Sequence, residues 1–136
     1  MAQRRATKPR ESKDPLARMR VHVLARELRG VAWDDSDLIR QHPITEKIAG
    51  QLYFSIGSIA VNIAEGYSRS SGKDRARIFE YALGSSRESV EWYESVEPVI
   101  PEDDYNARIK VLDEIIKMLL AIIPRERERT IRSQKK

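Results

Sequence analysis

The feature that most limits the fold of this chain is the spacing of its apolar residues, which recur every three or four positions in four separate segments. That period is typical of amphipathic α-helices, and no long stretch alternates apolar and polar residues as a half-buried strand does. The clearest segment contains Ile48, Leu52, Ile56, Ile59, Ile63 and Tyr67. We therefore predict an all-α chain of four helices.

Helix-start and helix-stop residues delimit the first two segments. Asp14 and Pro15 predict the start of the first helix, because aspartate caps helix N-termini and proline suits the first turn. The acidic run at residues 34–37 leaves open whether this helix is interrupted before Pro43. The second helix is expected after Pro43, with Thr45 as a candidate N-cap.

Similar signals delimit the third and fourth segments. Ser71 precedes Asp74 with the spacing of a capping box, and Pro98 closes the helix that follows. Acidic residues at 102–104 predict the start of the fourth helix, where the helix dipole favours negative charge, and Pro124 predicts its end. Four helices joined by short loops favour an antiparallel up-and-down four-helix bundle.

Positive charge is concentrated at the two ends of the chain, although the net charge is only +4. Residues 1–14 carry five basic and two acidic side chains, residues 125–136 carry six and two, and residues 15–124 carry 14 and 17. We predict a disordered basic arm at 1–14, the bundle domain at 15–124 and a basic tail at 125–136. Basic arms suit a polyanionic partner, and solvated ends that only aid solubility are the alternative.

A further basic cluster lies where the second helix gives way to the third. It could bind phosphate at the N-terminus of the third helix, or it could be an ordinary solvated face. The candidate nucleic-acid-binding residues are Arg4, Arg5, Lys8, Arg10, Lys13, Arg69, Lys73, Arg75, Arg77, Arg125, Arg127, Arg129, Arg132, Lys135 and Lys136.

The fourth helix has more apolar residues than one core-facing stripe requires. Beside its expected inward face, a second apolar face contains Val111, Ile115, Met118 and Ile122. Soluble monomers avoid large exposed apolar patches, so this face predicts a homo-oligomer with these four residues at the interface. The alternative is that the fourth helix is simply the most buried of the four.

The sequence offers no recognisable machinery for catalysis, and we expect a non-enzymatic protein without metal or cofactor. It has no cysteine, and its two histidines do not stand in a metal-ligand motif. It contains no phosphate-binding glycine motif. Since it also lacks a secretory signal and a transmembrane-length apolar run, we expect a soluble, cytoplasmic protein.

Two polar residues, Asn62 and Glu65, stand in the last turns of the otherwise apolar second helix. We interpret them as structural residues that bond helix-terminal groups or serine hydroxyls and fix the register of the second and third helices. Residues 85–88 of the third helix are the expected neighbours. A catalytic role would require a histidine or metal-ligand partner that the sequence does not supply.

The same residues carry a resemblance to a known family. Gln51, Ser58, Asn62, Glu65 and Gly66, followed by Arg69, Gly84, Ser85 and Glu88, resemble the motif of the "four helix bundle protein" family across roughly residues 16–123. That family includes proteins encoded in intervening sequences of bacterial large-subunit ribosomal RNA genes. It is related to the accessory variability determinant of diversity-generating retroelements.

The resemblance implies a four-helix protomer that assembles into a barrel-shaped homopentamer. In the retroelement relatives the pentamer is basic and binds nucleic acid and the reverse transcriptase. The chain departs from the family pattern after Gln51, where residues 52–55 contain no basic side chain, and at Ala60, where proline is common. A basic surface on the second helix is therefore not implied here.

Three functional hypotheses follow. We favour an oligomeric, non-enzymatic scaffold that binds RNA or another nucleic acid through its basic ends. The first alternative is an accessory subunit of a diversity-generating retroelement that binds the reverse transcriptase and its template RNA. The second is a protein–protein adaptor that does not bind nucleic acid.

Overall fold

The computed structural model describes residues 10–134, and beyond Arg129 it describes only the helix backbone. The described residues form four α-helices and no strand: α1 (Arg20–Arg40), α2 (Ile48–Tyr67), α3 (Gly72–Val96) and α4 (Glu102–Gln134). Short 3₁₀ turns, Pro15–Arg18 and Glu97–Val99, precede α1 and α4. The predicted all-helical, four-helix chain is confirmed.

None of the helices in the described part combines the length and the apolar character that crossing a bilayer requires.

The start of the helical region differs slightly from the prediction. Asp14 caps the short 3₁₀ turn, where its carboxylate accepts a hydrogen bond from the Leu16 amide at 3.0 Å. The α-helix itself begins at Arg20. It then continues through residues 34–37 without interruption, because Asp35 is buried and bonded rather than solvated.

Thr45 was expected to cap α2, and this prediction is wrong. Its buried hydroxyl donates a hydrogen bond of 2.8 Å to the carbonyl oxygen of Ile39, in the last turn of α1. The residue before α2 is Lys47, whose side chain makes no capping bond. Thr45 therefore satisfies an orphan carbonyl at the end of one helix instead of an orphan amide at the start of the next.

The predicted cap of α3 is confirmed. The Ser71 hydroxyl accepts a hydrogen bond from the Asp74 amide at 3.1 Å, and Asp74 lies in the first turn, where negative charge is favourable.

Pro124 does not end α4, which continues to Gln134. Proline removes one backbone donor and usually breaks or kinks a helix. Here the residues beyond it are attached to α3 by two ion pairs, Arg75 with Glu126 at 2.8 Å and Glu80 with Arg127. The expected C-terminal tail is thus, through residue 134, a continuation of α4.

One hydrophobic core is shared by all four helices. Its largest fully buried side chains are Tyr93, Phe79, Leu28, Ile39, Leu52, Ile56, Ile59, Ile63, Leu112, Ile115, Leu119 and Val21. A polar pair lies inside this apolar core, where the hydroxyls of Ser55 and Ser89 approach to 2.9 Å and link α2 to α3.

The predicted interface face of α4 is corrected at one of its four residues. Ile115 is completely buried within the chain, so it is a core residue and not an interface residue. Val111, Met118 and Ile122 are half-buried and pack against the core. Much of the second apolar face of α4 is therefore covered by the other helices of the same chain.

Candidate nucleic-acid interface

The basic cluster predicted at the α2–α3 connection lies around the first turns of α3. Lys73 and Arg77 are exposed on α3, and Arg69 lies in the short connection just before it. Ser71 caps this helix start with its side chain. Positive side chains and the free amides of a helix N-terminus both attract phosphate groups, so the local chemistry is suited to an anionic backbone.

Arg75 joins this cluster to the end of α4. Its Nε donates to Glu126 at 2.8 Å, and its Nη1 donates to the carbonyl oxygen of Arg69 at 3.0 Å. The side chains of Arg75 and Glu126 are only 21% and 13% exposed, so this pair is partly shielded from water. Arg75 therefore holds the two segments together and is not an available phosphate ligand.

The other arginines of the cluster are also oriented by neighbours but remain accessible. Arg69 donates to Glu65 at 2.6 Å, and Arg77 donates to the hydroxyl of Tyr81 at 3.3 Å. Arg127 pairs with Glu80 on the surface. The two ion pairs with Glu65 and Glu80 reduce the net positive charge without burying it, because Arg69 and Arg127 keep contact with water.

The remaining predicted binding residues are distributed between described and undescribed parts of the chain. Arg10, Lys13, Arg125 and Arg129 are exposed. The backbone carbonyl of Arg10 accepts a bond of 2.9 Å from Arg26, which attaches the segment before α1 to that helix. Five of the predicted residues lie outside the described residues: Arg4, Arg5, Lys8, Lys135 and Lys136. For Arg132 only the helix backbone is described.

The family-motif residues Asn62 and Glu65 do not form the buried polar contact expected of them. Glu65 is exposed and pairs with Arg69, while Asn62 is half-buried. The buried polar link between α2 and α3 is instead the Ser55–Ser89 pair. Since Ser55 faces Ser89, the last turns of α2 lie beside an earlier part of α3 than residues 85–88.

Gly66 has a clear steric role in this motif. A Cβ atom at this position would lie 2.7 Å from two ring carbons of Phe79, which is itself buried. The motif glycine therefore allows the end of α2 to approach α3 closely. The other motif residues make only contacts within their own helix or are exposed. The Ser58 hydroxyl donates a hydrogen bond to the Phe54 carbonyl oxygen at 2.9 Å, and the Ser85 carbonyl oxygen accepts one from the Ser89 hydroxyl. The Glu88 carboxylate accepts a hydrogen bond from the Trp92 indole, and Gln51 and Gly84 are exposed.

The sequence analysis missed a buried ionic cluster that connects α1, α3 and α4. The carboxylate of Asp35 accepts two bonds from Arg108, at 2.7 and 3.1 Å, and one from the Tyr93 hydroxyl at 2.7 Å. Burial, together with the nearby Asp35 charge, raises the pKa of Tyr93, so the phenol remains protonated and donates. The position of Asp35 in the apolar stripe of Leu28, Ala32 and Ile39 was the available signal.

Within residues 10–134, no group of three histidine, cysteine or acidic side chains is arranged to hold a metal ion. His22 is nearly buried in α1, and its pKa is lowered by burial and by the charges of Arg26 and Arg29.

Comparison with known families finds one match, which covers most of the helical region after α1. Residues 36–121 match the family model described as 23S rRNA-intervening sequence protein, which covers more than half of the chain. The chain belongs to this family. No curated protein and no solved structure matches it. The family resemblance read from the sequence is confirmed, and the link to diversity-generating retroelements stays a prediction.

The match to the family model does not extend to the charged ends of the chain. The match begins late in α1 and stops before Pro124, so it includes the cluster at residues 69–77 but neither terminal basic segment. The family model thus covers the end of α1, all of α2 and α3, and α4 as far as Ala121, and it does not include the charged ends.

Proposed function

We propose that this protein is a non-enzymatic, self-associating scaffold that binds RNA through basic side chains gathered at one end of an antiparallel up-and-down bundle. The membership of the 23S rRNA-intervening sequence family supports an association with ribosomal RNA. The observation that carries the proposal is the separation of charge along the bundle.

Contacts between helix ends support the antiparallel arrangement. The start of α3 meets the end of α4 through Arg75 and Glu126. The end of α1 meets the start of α4 through Asp35 and Arg108. Short connections between α1 and α2 and between α2 and α3 favour reversal of direction at each turn.

In that arrangement, the start of α1, the end of α2, the start of α3 and the end of α4 share one end of the molecule. The described residues in this half, 10–29, 58–83 and 114–134, carry fifteen basic and nine acidic side chains. The other half, 30–57 and 84–113, carries five basic and twelve acidic ones. A cationic end with an anionic opposite end directs a polyanion to one surface and orients it during encounter.

The first experiment measures binding of a fluorescently labelled structured RNA by anisotropy across a salt series. We expect the affinity to fall steeply as salt rises, because phosphate contacts release counterions. The double variant Lys73→Gln/Arg77→Gln should bind about tenfold more weakly at low salt, given two lost phosphate contacts. The matched control, Arg87→Gln/Lys110→Gln in the acidic half, should bind RNA as tightly as the native chain.

Equal losses in both variants would show that the charge effect is not localised and would contradict the proposed surface. No RNA binding at low salt would remove nucleic acid from the function and favour the protein–protein adaptor.

Self-association is supported by the outer face of α2. No charged residue occurs between Lys47 and Glu65, and this face leaves Phe54 76% and Val61 58% exposed. Gly50 and Gly57 flank Phe54, and a Cβ at either would meet no atom of the chain within 4 Å. Internal packing therefore does not require these helix-weakening glycines, while close approach by a second copy would use them.

Sedimentation velocity tests this part of the proposal. Phe54→Glu should reduce the assembled species to protomers, because it places a charge in the apolar contact. Tyr81→Glu is a matched control, since Tyr81 is 53% exposed on α3. If the native protein sediments as a protomer at all concentrations tested, self-association is wrong. The number of five subunits rests on the family resemblance alone.

A further inference from the structure

An apolar groove lies where the turn between α1 and α2 meets the turn between α3 and α4. Its volume is about 570 Å³. The apolar side chains that line it are Leu38, Pro43, Ile44, Pro98 and Val99, and polar residues include Ser95. Ile44 is 82% exposed and Leu38 is 41% exposed. The chain thus presents aliphatic surface in a concave site, where a partner side chain can bury it.

Several residues that line this groove have an acidic residue next to them in the sequence. Asp37 and Glu46 adjoin lining residues on the side of α1, and Glu94 and Glu97 adjoin lining residues on the side of α3. The segments 37–47 and 94–104 together carry seven acidic side chains and only two basic ones. One of those two, Arg40, bonds Asp37. The two segments that contribute the groove therefore carry an excess of negative charge.

Glu94 and Glu97 also act on a residue next to the groove-forming segments. The pKa of Tyr105, near the start of α4, is raised by its desolvation and by the charges of Glu94 and Glu97. Negative charge beside a concave apolar surface attracts cations more strongly than the same charge on a flat, fully hydrated surface. It repels a nucleic-acid backbone, so the groove differs in ligand chemistry from the basic surface at residues 69–77.

We propose that this groove docks a basic polypeptide segment that carries aliphatic or prolyl side chains between its lysines or arginines. An aliphatic or prolyl side chain would pack against Ile44 and Pro98, while the flanking cations would face Glu94 and Glu97. Apolar contact provides the affinity, and the carboxylates select a cationic partner. The RNA scaffold would in this way hold a basic protein at a surface separate from the RNA.

The test uses the full-length protein and two labelled synthetic peptides of twelve residues with equal numbers of lysines and arginines. One peptide places leucine and proline between the cations, and the other places serine and glycine there. We expect the leucine–proline peptide to bind at least about tenfold more tightly, because burying one aliphatic side chain is worth about 1.5 kcal/mol or more. Equal binding of the two peptides, or binding of neither, would overturn the proposal.

Variants locate the binding site. Ile44→Ser should weaken binding of the leucine–proline peptide by about tenfold, and Glu94→Gln/Glu97→Gln should weaken it by about threefold to tenfold and reduce its salt dependence. The matched controls are Leu120→Ser on α4 and Glu27→Gln on α1, which are exposed and do not line the groove, and neither should change peptide binding. Undiminished binding by Ile44→Ser would place the peptide elsewhere and overturn the proposal.

The exposed positions of these side chains mean that the variants should remain folded, which circular dichroism can verify. RNA binding by the same groove variants should equal that of the native chain. Failure of the groove proposal and failure of the RNA proposal are thus distinguishable, because they depend on different surfaces and different probes.

Discussion

Arg108 on α4 binds Asp35 on α1 with both of its forked donors, at 2.7 and 3.1 Å. The side chains are 15% and 7% exposed, so the pair is largely removed from water. Tyr93 of α3 donates to the same carboxylate. This cluster satisfies the carboxylate of Asp35 inside the bundle and links three of its four helices.

Removing one partner of this cluster should destabilise the fold strongly. In Asp35→Asn, the guanidinium of Arg108 would remain largely buried without its carboxylate, and the free energy of unfolding should fall by about 3 kcal/mol. Urea denaturation followed by circular dichroism measures the change. Asp37→Asn is the matched control, and since its pair with Arg40 is exposed the cost should stay below about 1 kcal/mol.

The double variant Asp35→Leu/Arg108→Met distinguishes the cost of burying an unpaired charge from the attraction between Asp35 and Arg108. It should be more stable than Asp35→Asn, because it leaves no unpaired charge in the interior. A double variant that is no more stable than Asp35→Asn would contradict this explanation.

Substitution of the motif glycine Gly66 by alanine should also destabilise the chain. The new methyl group would meet Phe79 at 2.7 Å, and the ring is buried among core residues and cannot move freely. We expect a loss of about 1–3 kcal/mol in unfolding free energy. Thermal or urea denaturation checks the loss.

Gly84→Ala provides the comparison within α3, since a Cβ there meets nothing within 4 Å. It should stabilise the protein by up to about 1 kcal/mol through helix propensity. An equal destabilisation at both sites would rule out the steric explanation for Gly66.

Acid should weaken the fold through His22. Burial and the charges of Arg26 and Arg29 lower the pKa of His22 in the folded state, whereas Asp14 has the opposite, smaller effect. The unfolded chain then binds a proton more readily, so stability is complete above the ordinary pKa of about 6.5 and falls as the pH drops through it. Urea titrations between pH 7.5 and pH 5 test this prediction over the range in which an ordinary histidine titrates.

The variant His22→Gln should lose that part of the pH dependence, whatever its stability at neutral pH. If the native chain and the variant change in parallel between these pH values, His22 is not the group responsible.

The attachment of the end of α4 to α3 should depend on Glu126. In Glu126→Gln, Arg75 loses its charged partner, and the contribution of such a bond is about 1.5 kcal/mol. Amide hydrogen exchange at residues 125–129 should accelerate by about tenfold, with little change in the core helices. Asp113→Asn, an exposed position on α4, is the control, and similar acceleration there would argue against a specific role for the Arg75–Glu126 pair.

Local patterns in the sequence predicted most of the helices. Apolar spacing identified the four segments, and Ser71 identified the start of α3, since a cap acts on amides a few residues away. The family motif was equally readable, and residues 36–121 do match the intervening-sequence family. The charge at the chain ends was also visible, because charge is a property of composition.

Some local signals were misleading because tertiary contacts oppose them. Pro124 would stop an isolated helix, yet Arg75 and Glu80 of α3 hold the residues beyond it in helical form. The acids at residues 34–37 would weaken an isolated α1, yet Asp35 finds Arg108 and Tyr93. In both cases the partners are more than 40 residues away in sequence, beyond the reach of any local pattern.

The sequence by itself determined that this chain is helical, where its apolar stripes lie and which family it belongs to, because those properties depend on neighbours one or two turns apart. Only the tertiary structure decided that Ile115 is core, that Ile44 stands in an apolar groove and that Asp35 is buried with its partners. Burial and ion pairing depend on which helix faces lie against each other, and that geometry arises only when all four helices pack together.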